Sequence, residues 1–160
     1  VIKDKEHKFY MNQAIAASEM SYAERKKVGA CVVTKHKGIF IGYNGTGPGE
    51  NNCCEDESFE LRAIKESDLV VGFTSFPRER VLTTKKNVRH AELNCFAKML
   101  KEGVSAEGST LYVTLSPCTF CASMIASAGV SKVVYLEEYR DTEGLKILMD
   151  SSVLVEKYNQ

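Results

Sequence analysis

The chain has no excess of either charge: across 160 residues, 21 lysines and arginines balance 21 aspartates and glutamates. Non-specific nucleic-acid binding normally shows as a basic footprint, so the balance weighs against that partner while leaving room for a local basic pocket. No apolar run approaches the roughly 18–20 residues of a membrane span, so no membrane partner is expected. Val1-Ile2-Lys3-Asp4-Lys5 is charged and lacks a signal-peptide core. The start at valine predicts that at least an initiator is missing from the chain. Internal repeats and low-complexity tracts are absent too. What is present is an apolar fraction of 44%, enough for a real core, at a length that predicts a single domain over 1–160.

Two short motifs stand out from this background: His90-Ala91-Glu92, and further on Pro117-Cys118-Thr119-Phe120-Cys121. One imidazole and two thiolates suit zinc, filling three tetrahedral positions and leaving the fourth for water. A closed structural site would need a fourth Cys or His, and zinc completed by another cysteine is the competing reading. Cys118 and Cys121, three apart, share one face of a helix. Pro117 marks its start, Met124, Ile125 and Ala128 extend its apolar stripe, and Gly129 stops it. Leu93, Phe96, Ala97 and Leu100 predict a second amphipathic helix, beginning at His90 and ended by Gly103. Both helix N-termini then direct their positive ends at the metal, favouring thiolates and a bound hydroxide. Glu92 is too close to His90 to share its direction. It is therefore placed to work on a metal-bound water without ligating the metal.

Two of the six cysteines are thereby claimed as metal ligands, and Cys31 and Cys95 read as core thiols. Without a secretion signal, this predicts a reducing, cytoplasmic setting, the host cytoplasm if the source is viral. His7 and His36 have no motif context and read as surface residues.

The rest of the chain supplies a scaffold. Residues 5 to about 24 predict a helix with Tyr10, Ala14 and Ala17 on one face. Val28–Thr34 and Ile39–Tyr43 predict a hairpin turning at His36-Lys37-Gly38. Asn44–Gly49 is a glycine-rich loop. Residues 50–89 read as an insertion, with a helical turn or two over 58–65, an apolar stretch over 68–76 and a basic stretch over 78–89. Strands over 110–115 and 132–136 flank the cysteine helix and predict a right-handed parallel crossover. A short helix over 142–150 and a strand over 153–158 finish the chain. The fold class is α/β, a three-layer α/β/α arrangement around a five-stranded mixed sheet. The active site is expected at the carboxyl ends of the central strands.

The motifs VGACVV (28–33), GYNGTGPG (42–49), NNCC (51–54), HAELN (90–94), LYVTLSPCTFCA (111–122) and AGVSKVVY (128–135), with Tyr139, run in the order of one family. HAE with PCxxC marks the zinc-dependent deaminase superfamily. The remaining segments make the chain resemble the deoxycytidylate (dCMP) deaminases of the cytidine deaminase-like superfamily, including viral members. The resemblance implies hydrolysis of dCMP to dUMP and ammonia, supplying the precursor of thymidylate. Zinc-activated water would attack C4 of the pyrimidine, and Glu92 would carry protons to N3 and to the departing amine. Ala91 and Ser116 would read the base edge, and Asn44 the deoxyribose. Tyr139 would pack on base or sugar, and Arg140 would meet the 5′-phosphate. Lys26 and Lys27 are alternative phosphate partners from a neighbouring subunit.

The resemblance also implies a homohexamer activated by dCTP and inhibited by dTTP. The effector would lie against Gly42, Tyr43, Asn44, Gly45 and Thr46, with Mg²⁺ accompanying its triphosphate. Some viral members carry a second, structural zinc. Here Cys53 and Cys54 remain, but the expected partner positions hold Ala23, Arg80 and Thr84, so one zinc per chain is expected. The rival readings are another deaminase (cytidine, guanine or nucleic-acid editing) and a non-catalytic zinc-fold binding module. Intact Glu92 argues against the last.

Overall fold

The computed structural model describes residues 4–61 and 78–159. Helix α1 (Asp4–Glu19) leads into strands β1 (Gly29–Val33) and β2 (Ile39–Tyr43). A second antiparallel pair follows, β3 (Glu55–Leu61) and β4 (Arg78–Thr84). Then come α2 (Ala91–Lys101), β5 (Thr110–Leu115), α3 (Thr119–Ser127), β6 (Lys132–Glu137), α4 (Glu143–Asp150) and β7 (Leu154–Lys157).

The main sheet has the order β2-β1-β5-β6-β7. The β1–β2 and β1–β5 pairings are antiparallel, while β5–β6 and β6–β7 are parallel. This is the expected five-stranded mixed sheet. Alternation along each strand distributes side chains to its two faces. Cys31, Val33, Tyr112 and Val134 pack with Tyr10, Met11 and Ala14 of α1. Ala30, Val32, Leu111, Val113, Val133 and Tyr135 pack on the other face against α2, α3 and α4, through Phe96, Met99, Ile125, Leu145 and Leu148. Each large side chain fully buried this way contributes about 1.5–3 kcal/mol of transfer free energy.

Three sequence readings need correction. First, the buried face of α2 is Ala91, Glu92, Cys95, Phe96 and Met99, whereas Leu100 is 80% exposed. The helix lies over edge strand β2. Asn94 Nδ2 donates to Tyr43 O at 2.8 Å, and Lys98 Nζ donates to Ile41 O at 2.6 Å. These polar anchors on the strand's carbonyls rotate the helix about its axis relative to its apolar pattern. Second, residues 58–61 are strand, not helix, paired in register with 78–81. Residues 62–65 and the 68–76 stretch lie outside the described residues. Helix α1 also stops at Glu19, short of the predicted 24.

Candidate active site

His90 and Cys118 are the N-cap residues of α2 and α3. Both have extended backbones, and neither side chain caps its own helix. Their side chains are therefore free to turn toward each other. The first-turn amides of both helices lack intrahelical acceptors and add positive potential there. Cys121, one turn into α3, completes the group. His90 Nδ1 stands 3.5 Å from Cys118 Sγ and 3.4 Å from Cys121 Sγ, and the ligand atoms of all three residues lie within 4.8 Å of one another. Among the described residues this is the only cluster of three or more His, Cys, Asp or Glu groups able to hold a metal.

The electrostatics of the cluster fit a dication. Cys118 is lowered to about 4 by hydrogen bonds from Cys121 and His90. Cys121 is pushed up, first by its hydrogen bond to Cys118 and then by burial. His90 is raised, chiefly by its hydrogen bond to Cys118. The three groups share protons that a bound zinc would displace, since thiolate and neutral imidazole are its ligand forms. His90 and Cys118 line the cleft while Cys121 is buried, so a metal held by the three would be reached from the cleft.

Glu92 lies beside this cluster at 4% exposure. Burial raises its carboxyl above the ordinary carboxylate range, while its own backbone amide and His90 pull it partly back. A carboxyl whose pKa is raised by burial is a stronger base than a solvated one, which suits it to accept a proton.

Two glycines let these elements meet. A Cβ on Gly42 would come within 2.5 Å of Ala91 O, and one on Gly144 within 2.1 Å of Pro117 O. Strand β2 thus seats the first turn of α2, and α4 seats the loop carrying Cys118.

A cleft of about 240 Å³ opens over the cluster. His90, Glu92 and Cys118 line it, as do all five residues expected to bind substrate: Asn44, Ala91, Ser116, Tyr139 and Arg140. The cleft lies where β5 and β6 end, as expected for parallel strands. There Ser116 Oγ accepts the Tyr139 amide at 2.7 Å, tying the two strand ends together, and the Arg140 guanidinium lies 5.7 Å from the Tyr139 ring centre. Asn44 is largely committed to structure: its Oδ1 accepts the Val28 amide at 2.8 Å and its Nδ2 donates to Lys26 O at 2.9 Å.

Arg25, Glu55, Thr84 and Val88 line the cleft as well, and the sequence reading did not include them. A basic Arg25-Lys26-Lys27 run was the one visible hint. Lys26 contributes to the cleft from the same chain and pairs with Glu137.

Most of the residues expected to hold an effector face elsewhere. Gly42, Tyr43, Gly45 and Thr46 line a second cleft of about 340 Å³ with Arg89, Lys98 and Lys101, while Asn44 faces the first. The loop between the two clefts is fixed to the chain just before His90, because Gly45 and Arg89 exchange both backbone hydrogen bonds.

Comparison with known proteins defines the class. The profile of the cytidine and deoxycytidylate deaminase zinc-binding region matches residues 4–137. The chain belongs to this deaminase family. The deoxycytidylate deaminase of Enterobacteria phage T4 is 37% identical over 131 residues, 71% of this chain and 68% of that one. The mouse deoxycytidylate deaminase is 34% identical over 137 residues, 84% of this chain and 67% of that one. Among solved structures, the dCMP deaminase of cyanophage S-TIM5, crystallised with dCMP and dUMP, superposes with a TM-score of 0.79. It is 38% identical, and the match covers 99% of this chain and 100% of that one. A cytidine deaminase from Burkholderia pseudomallei, 17% identical with a TM-score of 0.52, shares the fold.

Proposed function

We propose that this enzyme hydrolyses dCMP to dUMP and ammonia, providing dUMP for thymidylate synthesis. The observation that carries the reading is the convergence of His90, Cys118, Cys121 and buried Glu92 on one nucleotide-sized cleft. The similarity to dCMP deaminases supports it. His90, Cys118 and Cys121 would hold one Zn²⁺, which when bound lowers the pKa of a water from about 15.7 toward 7.

The chain's own residues do the rest. Ala91 and Ser116 hold the cytosine edge so that C4 faces the water. Glu92 takes the water's proton as oxygen adds to C4, and delivers it to N3. A second proton passes through Glu92 to the amino nitrogen, the C4–N bond breaks, and ammonia leaves. Burial favours the first step of this shuttle, because a carboxyl with a raised pKa is a stronger base toward the water's proton. Tyr139 packs against base or sugar. Arg140, Arg25 and Lys26 form the basic patch for the 5′-phosphate, which a nucleoside lacks.

Regulation belongs to the second cleft. Its three basic side chains suit the triphosphate of dCTP as activator or dTTP as inhibitor, with Mg²⁺. The Gly45–Arg89 bridge links that cleft to His90. We assign the enzyme to the cytoplasm, as a single domain with 50–89 inserted in it, assembled as a homohexamer.

The test is loss of ultraviolet absorbance with dCMP, cytidine and dCTP in parallel, with and without a zinc chelator. Chelator-sensitive turnover of dCMP alone is expected. Turnover of none of the three by folded, zinc-loaded protein would reject the assignment. Titration with dTTP is expected to depress dCMP turnover, and a flat response would remove the effector assignment.

A further inference from the structure

Glu55 is a carboxylate in the catalytic cleft that the proton chemistry does not use. It opens β3, is 7% exposed and lines the cleft together with His90 and Glu92. Its Oε1 accepts the amides of Glu24 at 3.2 Å and Arg25 at 3.3 Å. Across the hairpin its register partner is Thr84, whose Oγ1 accepts from Arg25 Nη1 at 3.0 Å. Glu55 thus stands beside the basic segment, with its backbone neighbours fixed on both sides. No side-chain partner among the described residues occupies Oε2, which is not a sealed, unsatisfied atom either. That oxygen is therefore not sealed in, and its residue lines the cleft.

We propose that Glu55 reads the 3′-hydroxyl of the nucleotide. The assignment rests on the dCMP reading above and extends it to the sugar. A carboxylate can only accept, so its partner must donate. A phosphate ester offers no donor, and the single amino group of cytosine belongs at C4 beside Glu92. In a 2′-deoxynucleotide with its phosphate on the 5′-oxygen, the remaining donor is the 3′-hydroxyl. Asn44 has most of its side chain committed to the backbone of residues 26–28, whereas Glu55 keeps an acceptor free.

The experiment measures kcat/KM for dCMP and for 2′,3′-dideoxycytidine monophosphate, in wild type and in Glu55→Gln. The amide is isosteric and keeps an oxygen for the Glu24 and Arg25 amides, and the melting temperature reports whether that seating survives. Wild type is expected to prefer dCMP by about 10- to 100-fold, the worth of a hydrogen bond to a charged group. In Glu55→Gln the preference is expected to fall to about threefold or less, through a raised KM for dCMP with kcat little changed. An unchanged preference in the variant overturns the role of Glu55 while leaving dCMP deamination standing. An equal loss on both nucleotides makes Glu55 a structural anchor and overturns it as well. A zinc-loaded wild type that deaminates neither nucleotide overturns the parent reading and the assignment with it.

Discussion

At the residue scale, the decisive contrast is between Glu92 and Cys31, a thiol buried on the other face of the sheet. Glu92 is buried and raised by desolvation, and the groups that act on it include His90 and Cys121 of the metal-ligand cluster. Burying a carboxyl is costly, and the proposed proton shuttle gives this one a purpose. Replacing Glu92 with Gln is expected to keep the fold and one zinc per chain, by atomic absorption, while lowering kcat by roughly 10²–10⁴-fold. Unchanged function in that variant would favour the binding module. Cys31 marks the opposite case. Burial pushes its thiol up from 9.0 to about 12, so the folded state holds the proton that the unfolded chain releases. The folded pKa is the higher, so its contribution is intact below pH 9 and is lost as pH rises toward about 12. Urea melts between pH 8 and 11 are expected to show stability falling, by up to about 1.4 kcal/mol per pH unit for such a group. Cys31→Ala should flatten that slope. Cys95 and Tyr112 are raised by burial too and act in the same direction.

At the element scale, the site is an agreement between two helix starts. Strand β2 receives α2 so closely that Gly42 has no room for a side chain. Gly42→Ala is expected to push back the turn bearing His90 and Glu92, costing about 1–3 kcal/mol of stability. It should also weaken zinc retention, read by competition with a chromophoric chelator. A variant that melts and holds zinc like wild type would show that α2 can shift without cost. The β3–β4 pair is a second element-scale feature. Arg80 joins Glu57 at 2.9 Å and Glu24 at 3.1 Å, so charged groups fasten the insertion to the segment before β1. These pairs are solvent-exposed, so water and salt screen them and each contributes little. Together with the Glu55 contacts they hold in place a wall of the cleft that has little apolar core of its own.

At the scale of the whole molecule, one mixed sheet separates two tasks. The α1 face is sealed with Tyr10, Met11 and Tyr112, while the opposite face carries the helices that build the site. Large apolar groups stay exposed on that side, including Leu100 at 80% and Phe120 at 67%. The hexamer proposed above would have such exposed apolar groups to cover. Sedimentation is expected to give about six times the 17.8 kDa chain mass, and a monomer at assay concentration would remove the hexamer.

Much of this molecule was legible in the order of its residues, because local chemistry determines what local chemistry can. His90, Glu92, Cys118 and Cys121 are short-range patterns at helix starts. The strands VGACVV, IFIGY, TLYVTL and KVVYL are short apolar runs bounded by turns, which read as strands. The rotation of α2 was not legible, because it depends on Asn94 and Lys98 meeting the free carbonyls of an edge strand far back in sequence. Nor was β3 legible, since Glu55-Asp56-Glu57-Ser58-Phe59-Glu60-Leu61 has too few apolar positions to set a period. Tertiary structure alone decided that Glu55 and Thr84 would share a cleft with Glu92. It likewise decided that Asn44 would turn inward while its neighbours face a second pocket. Those placements arise from contacts between segments distant in sequence, and no local pattern of residue types encodes which segments will meet.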